Sequence, residues 1–119
     1  MRLFRFAPEA GRDITAFDSL NARISGVVHL RTDAHISCMA LGAPGVVGYH
    51  PAVTPQLLLI VSGAGWVRGE STGRKPISTG QAVFWEKDEW HESGTEAGMT
   101  AIVIESDDLD LEMLVPDSR

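Results

Sequence analysis

The chain has 119 residues, 44% of them hydrophobic and 22% charged, with 10 basic residues against 16 acidic ones and a formal charge of -6. That is room for one domain around one hydrophobic core, with too much apolar content for disorder. The acidic balance and the scattered Lys and Arg argue against binding nucleic acid, and no stretch approaches the run of about 18 apolar residues that a membrane helix needs.

In chain order, Met1 to Asp13 reads as an arm carrying Leu3, Phe4 and Phe6. Its short apolar start is no secretory signal, so a cytoplasmic location is expected. An apolar arm of this kind covers a sheet edge on its own barrel or on a neighbouring subunit, which makes a homodimer an expected assembly. Phe17 to Ala22 predicts a single helical turn. Ile24 to Leu30 is β-prone and ends where Arg31, Thr32 and Asp33 take over. Ile36 to Leu41 is the next predicted strand, and it holds Cys38, the only cysteine. A lone cysteine excludes an internal disulfide or a multi-cysteine zinc site and is read as a small buried residue.

Gly42 to Gly45 predicts a turn and Val46 to His50 an extended piece. Gln56 to Val61 is apolar on both faces after its first residue, as in a strand buried between layers. Ser62, Gly63, Ala64 and Gly65 predict a hairpin, with Trp66 to Arg68 returning from it. A polar connection from Gly69 leads to Pro76, Ile77 and Ser78, and after Gly80 come Gln81 to Trp85, a charged turn, and a last strand from Met99 to Ile104. Ser106 to Asp110 is acidic and expected to be solvated. Short strands, glycine-rich turns and the absence of a sustained 3.6-residue period indicate an all-β fold, a single-domain antiparallel barrel or jelly roll.

Two glycine-punctuated segments stand apart. His50, Ala52, Gln56 and Gly63 form the first, with six residues between Gln56 and Gly63. Gly80, Glu86, Asp88 and His91 form the second, with five residues between Gly80 and Glu86. Their spacing resembles the two signature motifs of the cupin superfamily, over about residues 42–105 of a single domain spanning 1–119. In that family the first motif carries two histidines and a carboxylate, and the second carries a proline, a glycine and a further histidine. Here Ala52 replaces the second histidine, Gln56 the carboxylate, Glu86 the proline and Asp88 the glycine. Asp is a mild change at Asp88, since it tolerates a left-handed backbone.

The resemblance implies a site inside the barrel mouth in which His50, Gln56 and His91 face a divalent transition metal. An amide in place of the carboxylate weakens such a site. Trp90 and Glu92, beside His91, are candidates for the ligand pocket, Trp90 by stacking and Glu92 as a base or an extra carboxylate. His29 and His35 lie outside both motifs and read as structural. Three functions stay open: a small-molecule-binding module using the histidine pocket, a metal-dependent enzyme such as a dioxygenase or isomerase acting on a small polar or aromatic substrate, and a structural scaffold. The binding module leads, because one family histidine and the family carboxylate are missing.

Overall fold

The computed structural model describes residues 1–118. In chain order the strands are β1 (Arg2–Arg5), β2 (Arg12–Asp13), β3 (Arg23–Ile24), β4 (His29–Leu30), β5 (Ala34–Leu41), β6 (Gly45–Pro51) and β7 (Gln56–Arg68), then β8 (Lys75–Ser78), β9 (Gln81–Trp85), β10 (Trp90–Thr95), β11 (Met99–Ser106), β12 (Leu109–Asp110) and β13 (Val115–Pro116). The described residues contain no α-helix, only one short 3-10 turn at Pro8–Ala10. Every strand pairing is antiparallel, which bears out the all-β reading.

One strand builds both sheets. The first part of β7 lies between β9 and β11 in a sheet ordered β13-β1-β9-β7-β11-β5. Its last part lies between β8 and β10 in a second sheet ordered β8-β7-β10-β6. The predicted hairpin at Ser62 to Gly65 is therefore not a hairpin: the chain runs straight through and changes partners there. Glycine is needed at the crossing for close approach rather than for reversal. Gly63 takes φ +85°, and a Cβ at Gly65 would run into the carbonyl of Gly94 on β10. Reversal comes later, in the connection at 69–74, after which β8 and β9 both run antiparallel along β7.

Alternation divides the apolar residues into two clusters. Leu58, Ile60, Val67, Val83, Trp85 and Val103 belong to the cluster enclosed between the sheets. Phe4, Leu57, Leu59, Phe84 and Ile104 face outward from the first sheet and are covered by Val27, Val28, Leu111 and Leu114. The run of apolar residues on both faces of β7 thus reflects burial on both sides. Residues 24–30 do not form the single strand expected of them. Gly26 lies against Met113, and the segment crosses the outer face as a strap with only β3 and β4 in ladder contact.

The N-terminal arm pairs with β9 and β13 of its own chain, one of the two covers expected of it. Three further expectations change. Residues 17–22 are not a helical turn but the tip of the β2–β3 ribbon, with Phe17, Asp18 and Asn21 all at positive φ. Cys38 is exposed, because β5 is an edge strand whose outward side chains meet no cover. The acidic segment is partly tied down: Arg31 pairs with Asp110 at 2.8 Å and Asp108 at 3.4 Å, and Ser106 is buried.

Candidate functional site

The antiparallel register of β6 and β10 sets His50 directly opposite His91. Directly opposed residues share a face, so the two motifs meet as the spacing implies. The ring centroids lie 4.4 Å apart, with the planes inclined at 53°. Indole and imidazole stack on the far side, Trp85 lying 4.2 Å from His91 at 27°. His91 is 3% exposed, and Trp85 is 1% exposed.

Backbone carbonyls fix both imidazoles. His50 Nδ1 lies 2.6 Å from the Gly48 carbonyl, and His91 Nδ1 lies 3.1 Å from the Glu89 carbonyl. A carbonyl oxygen can only accept, so each Nδ1 carries the proton and each neutral ring keeps its lone pair on Nε2. Burial, first of all, holds the pKa of His91 below the ordinary value of 6.5. The hydrogen bond to the Glu89 carbonyl opposes that shift, the neighbouring His50 adds to it, and the carboxylates of Glu89 and Glu105 oppose it.

The turn before His91 explains this placement. Asp88 takes φ +67°, as its position in the motif suggested. Its amide donates to the Ala52 carbonyl at 2.8 Å, and the Ala52 amide donates to the Glu89 carbonyl at 2.9 Å. The side chain of Glu89 closes the turn by accepting from the Glu86 amide at 3.0 Å. Ala52 is 2% exposed beneath this clamp. A position that holds a histidine in the family motif is used here to lock the loops carrying the other two.

Gln56 opens β7 between Trp85 and Glu105, and its side chain makes no hydrogen bond to any described residue. The cross-strand row Trp85, Gln56, Glu105, His35 lies at the histidine end of the barrel. Glu105 was missed by sequence reasoning. Its signal was the buried odd-numbered face of β11, where Met99, Ala101 and Val103 lead up to it. Trp85 Nε1 is buried and has no acceptor among the described residues. An open depression of about 390 Å³ adjoins the row and is lined by Asp33, His35, Val53, Thr54, Glu105 and Asp107.

Trp90 and Glu92 do not join the histidines. Trp90 is 42% exposed and packs on Tyr49 at 5.2 Å. Glu92 accepts from Arg68 Nε at 2.7 Å, and Arg68 lies over the Tyr49 ring at 4.1 Å. Alternation along β10 turns these residues to the outer surface, so they do not share a pocket with His91.

The donor set falls short of a resident metal ion. Two imidazole nitrogens and one amide oxygen only reach the lower limit of the three or four protein ligands usual for transition metals, and a neutral amide stands where His, Cys or a carboxylate is usual. Among the described residues no three His, Cys, Asp or Glu side chains are grouped closely enough to hold one. The arrangement can instead offer two lone pairs and one indole N–H to a polar molecule.

No family model and no curated protein matches the sequence. Solved structures do match the fold. A cupin superfamily protein from Desulfitobacterium hafniense aligns with a TM-score of 0.59 and 14% identity, over 91% of this chain and 100% of that one. A cupin-like protein from Thermotoga maritima aligns with a TM-score of 0.59 and 13% identity, over 66% of this chain and 63% of that one, less than two thirds of its length. KdgF from Halomonas sp. aligns with a TM-score of 0.56 and 20% identity, over 68% of this chain and 74% of that one. With both sheets built through β7 around one interior, these likenesses show that the chain has the cupin fold.

Proposed function

We propose that the protein binds a small polar molecule at the histidine end of the barrel, with His50 and His91 as its principal contacts. The observation that carries the reading is the facing pair of rings whose Nδ1 atoms are both committed to backbone carbonyls. Two Nε2 lone pairs are then acceptors for a ligand hydroxyl or amine. The buried Trp85 N–H adds a donor for a ligand oxygen, since leaving such a group unpaired costs about 1–3 kcal/mol. Gln56 and Glu105 offer further polar contacts toward the mouth. The exposed, unpaired Cys38 suits a reducing compartment, in keeping with a cytoplasmic protein.

A metal-dependent enzyme is the second reading, favoured by the neutral Nε2 atoms. Such a metal would rest on His50, His91 and Gln56, would act as a Lewis acid, and would need the ligand to complete its coordination.

Thermal-shift screening of small hydroxylated acids and sugars, with chelator present, tests the first reading. A ligand at 100 times its dissociation constant stabilises by about 2.7 kcal/mol. At about 2.1 cal/mol/K of unfolding entropy per residue, that raises the midpoint by roughly 10 °C. The shift is expected to vanish in His50→Ala and in His91→Ala, and a shift that survives both substitutions contradicts the reading. Stoichiometric transition metal in chelator-free protein, lost from the double variant, would favour the enzyme instead.

A further inference from the structure

Glu105 is a half-buried carboxylate that the described residues leave without a cation. Other half-buried acidic side chains are matched: Glu89 lies 2.7 Å from the terminal amine, Glu92 lies 2.7 Å from Arg68 Nε, and Asp110 lies 2.8 Å from the Arg31 guanidinium. Glu105 accepts only from the Thr54 hydroxyl, at 3.4 Å, the long limit of a hydrogen bond. A carboxylate has room for about four such bonds, so most of its capacity is unused. No Lys or Arg lines the depression beside it, whereas Asp33 and Asp107 do.

Acidic residues on a rim are ordinary, but this one belongs to a row that leads inward. Trp85, Gln56, Glu105 and His35 share the inner face of the first sheet, because directly opposed residues of a ladder point the same way. Toward the other end of the row Trp85, 1% exposed, holds an indole N–H with no acceptor among the described residues, and its ring stacks on His91. The negative charge of Glu105 is felt at His91, where it opposes the effect of burial. The whole mouth is therefore rich in acceptors, with the two Nε2 lone pairs at one end and carboxylates at the other. Among the described residues no three acidic or imidazole groups are close enough together to hold a metal ion, so the negative charge is spread along the mouth and suits an extended organic cation better than a point charge.

We infer that the ligand of the histidine site is a hydroxylated primary amine, its ammonium held by Glu105 and its hydroxyls by His50 and His91. This rests on the histidine pair being the ligand's principal contact, and adds the residue that selects the ligand's charge. An ammonium brings three donors and no acceptor, the complement of a carboxylate whose lone pairs are free. The Trp85 N–H is left to donate to a ligand hydroxyl oxygen. Adjacent strands lie about 4.8 Å apart, so roughly 10 Å separates the backbones of Glu105 and Trp85 across β7, a gap that one sugar ring fills once a hydrogen bond of about 3 Å is added at each end. The depression of about 390 Å³ beside Glu105 has room for a molecule of that size.

Matched probes test this by proton–nitrogen NMR titration of the full chain: glucosamine against glucose and N-acetylglucosamine, and serinol against glycerol. At least one amine is expected to bind about tenfold or more tighter than its neutral counterparts, with the advantage shrinking at high salt. Glu105→Gln should reduce that ratio to within about twofold, and Glu105→Asp should restore part of it. His50→Ala and His91→Ala should weaken the amine and the neutral member of a pair by similar factors. Amines bound no better than their neutral counterparts, or a preference that Glu105→Gln leaves intact, overturns the inference; the first of these is read on the wild type and needs no variant to fold. Neutral sugars still bound through the histidines would then leave the histidine site standing. An amine preference that needs Glu105 and ignores both histidine substitutions keeps Glu105 as the partner of the amine and removes the histidines. A Glu105-dependent response to magnesium or calcium ions alone assigns the mouth to a metal ion and overturns the amine.

Discussion

Replacing Gly65 by Ala tests the crossing of β7 from one sheet to the other. A Cβ at this position would overlap the Gly94 carbonyl oxygen, and would lie 3.1 Å from both the Gly94 carbonyl carbon and the Met99 sulfur, where ordinary contacts begin at 3.4 Å. The first obstacle is backbone, so β10 must move away from β7 around the Trp66 and Gly94 pair. Overpacking of this kind costs about 1–3 kcal/mol. One ladder hydrogen bond drawn out of range adds about 1 kcal/mol, giving roughly 2–4 kcal/mol in all. With an unfolding entropy of about 250 cal/mol/K for a chain of this length, the midpoint should fall by about 8 °C or more. Gly48→Ala is the control, since nothing lies within 4 Å of a Cβ built there. Calorimetry on both variants decides. A Gly65→Ala midpoint within about 2 °C of wild type, or equal damage from Gly48→Ala, would refute the close-approach argument.

Two more outcomes follow from the turn and from His91. Asp88 stands at φ +67°, so Asp88→Gly should be neutral or stabilising by up to about 1 kcal/mol and Asp88→Val should destabilise by more than that, both read from denaturant midpoints. Burial holds the pKa of His91 below 6.5 in the folded chain, so below that pH the unfolded state binds the proton more readily. Its contribution to stability is full above pH 6.5, shrinks as the pH falls below that value, and is lost on passing the folded-state pKa. Wild type should therefore lose more stability than His91→Gln between about pH 7.5 and pH 5, and equal losses would show that His91 titrates freely.

Much of the architecture was legible because alternation and turn chemistry agree with it. Ile36 to Leu41, Val46 to His50, Gln81 to Trp85 and Met99 to Ile104 all fall within strands of the structure. The meeting of His50 and His91 was legible only from motif spacing, since Pro51 and Pro55 interrupt the local period. Ser62 to Gly65 misled because glycine signals both reversal and close approach, and only the position of Gly94 tells which is at work. Cys38 was misplaced because a strand's own sequence does not say whether its outer face will be covered. Glu105 was passed over for lying one residue beyond the apolar run, although its parity placed it on the enclosed face. Trp90 and Glu92 were drawn toward His91 by sequence proximity, where the period of two sends both neighbours of an inward residue outward.

The central claim is that His50 and His91 face one another as neutral rings with their Nε2 lone pairs open. Long-range proton–nitrogen NMR of the histidine side chains reads this directly. At neutral pH both rings should show a protonated Nδ1 and a bare Nε2, and the nitrogen shifts of His91 should respond to His50→Ala. Rings carrying the proton on Nε2, or a His91 spectrum indifferent to His50, would contradict the account.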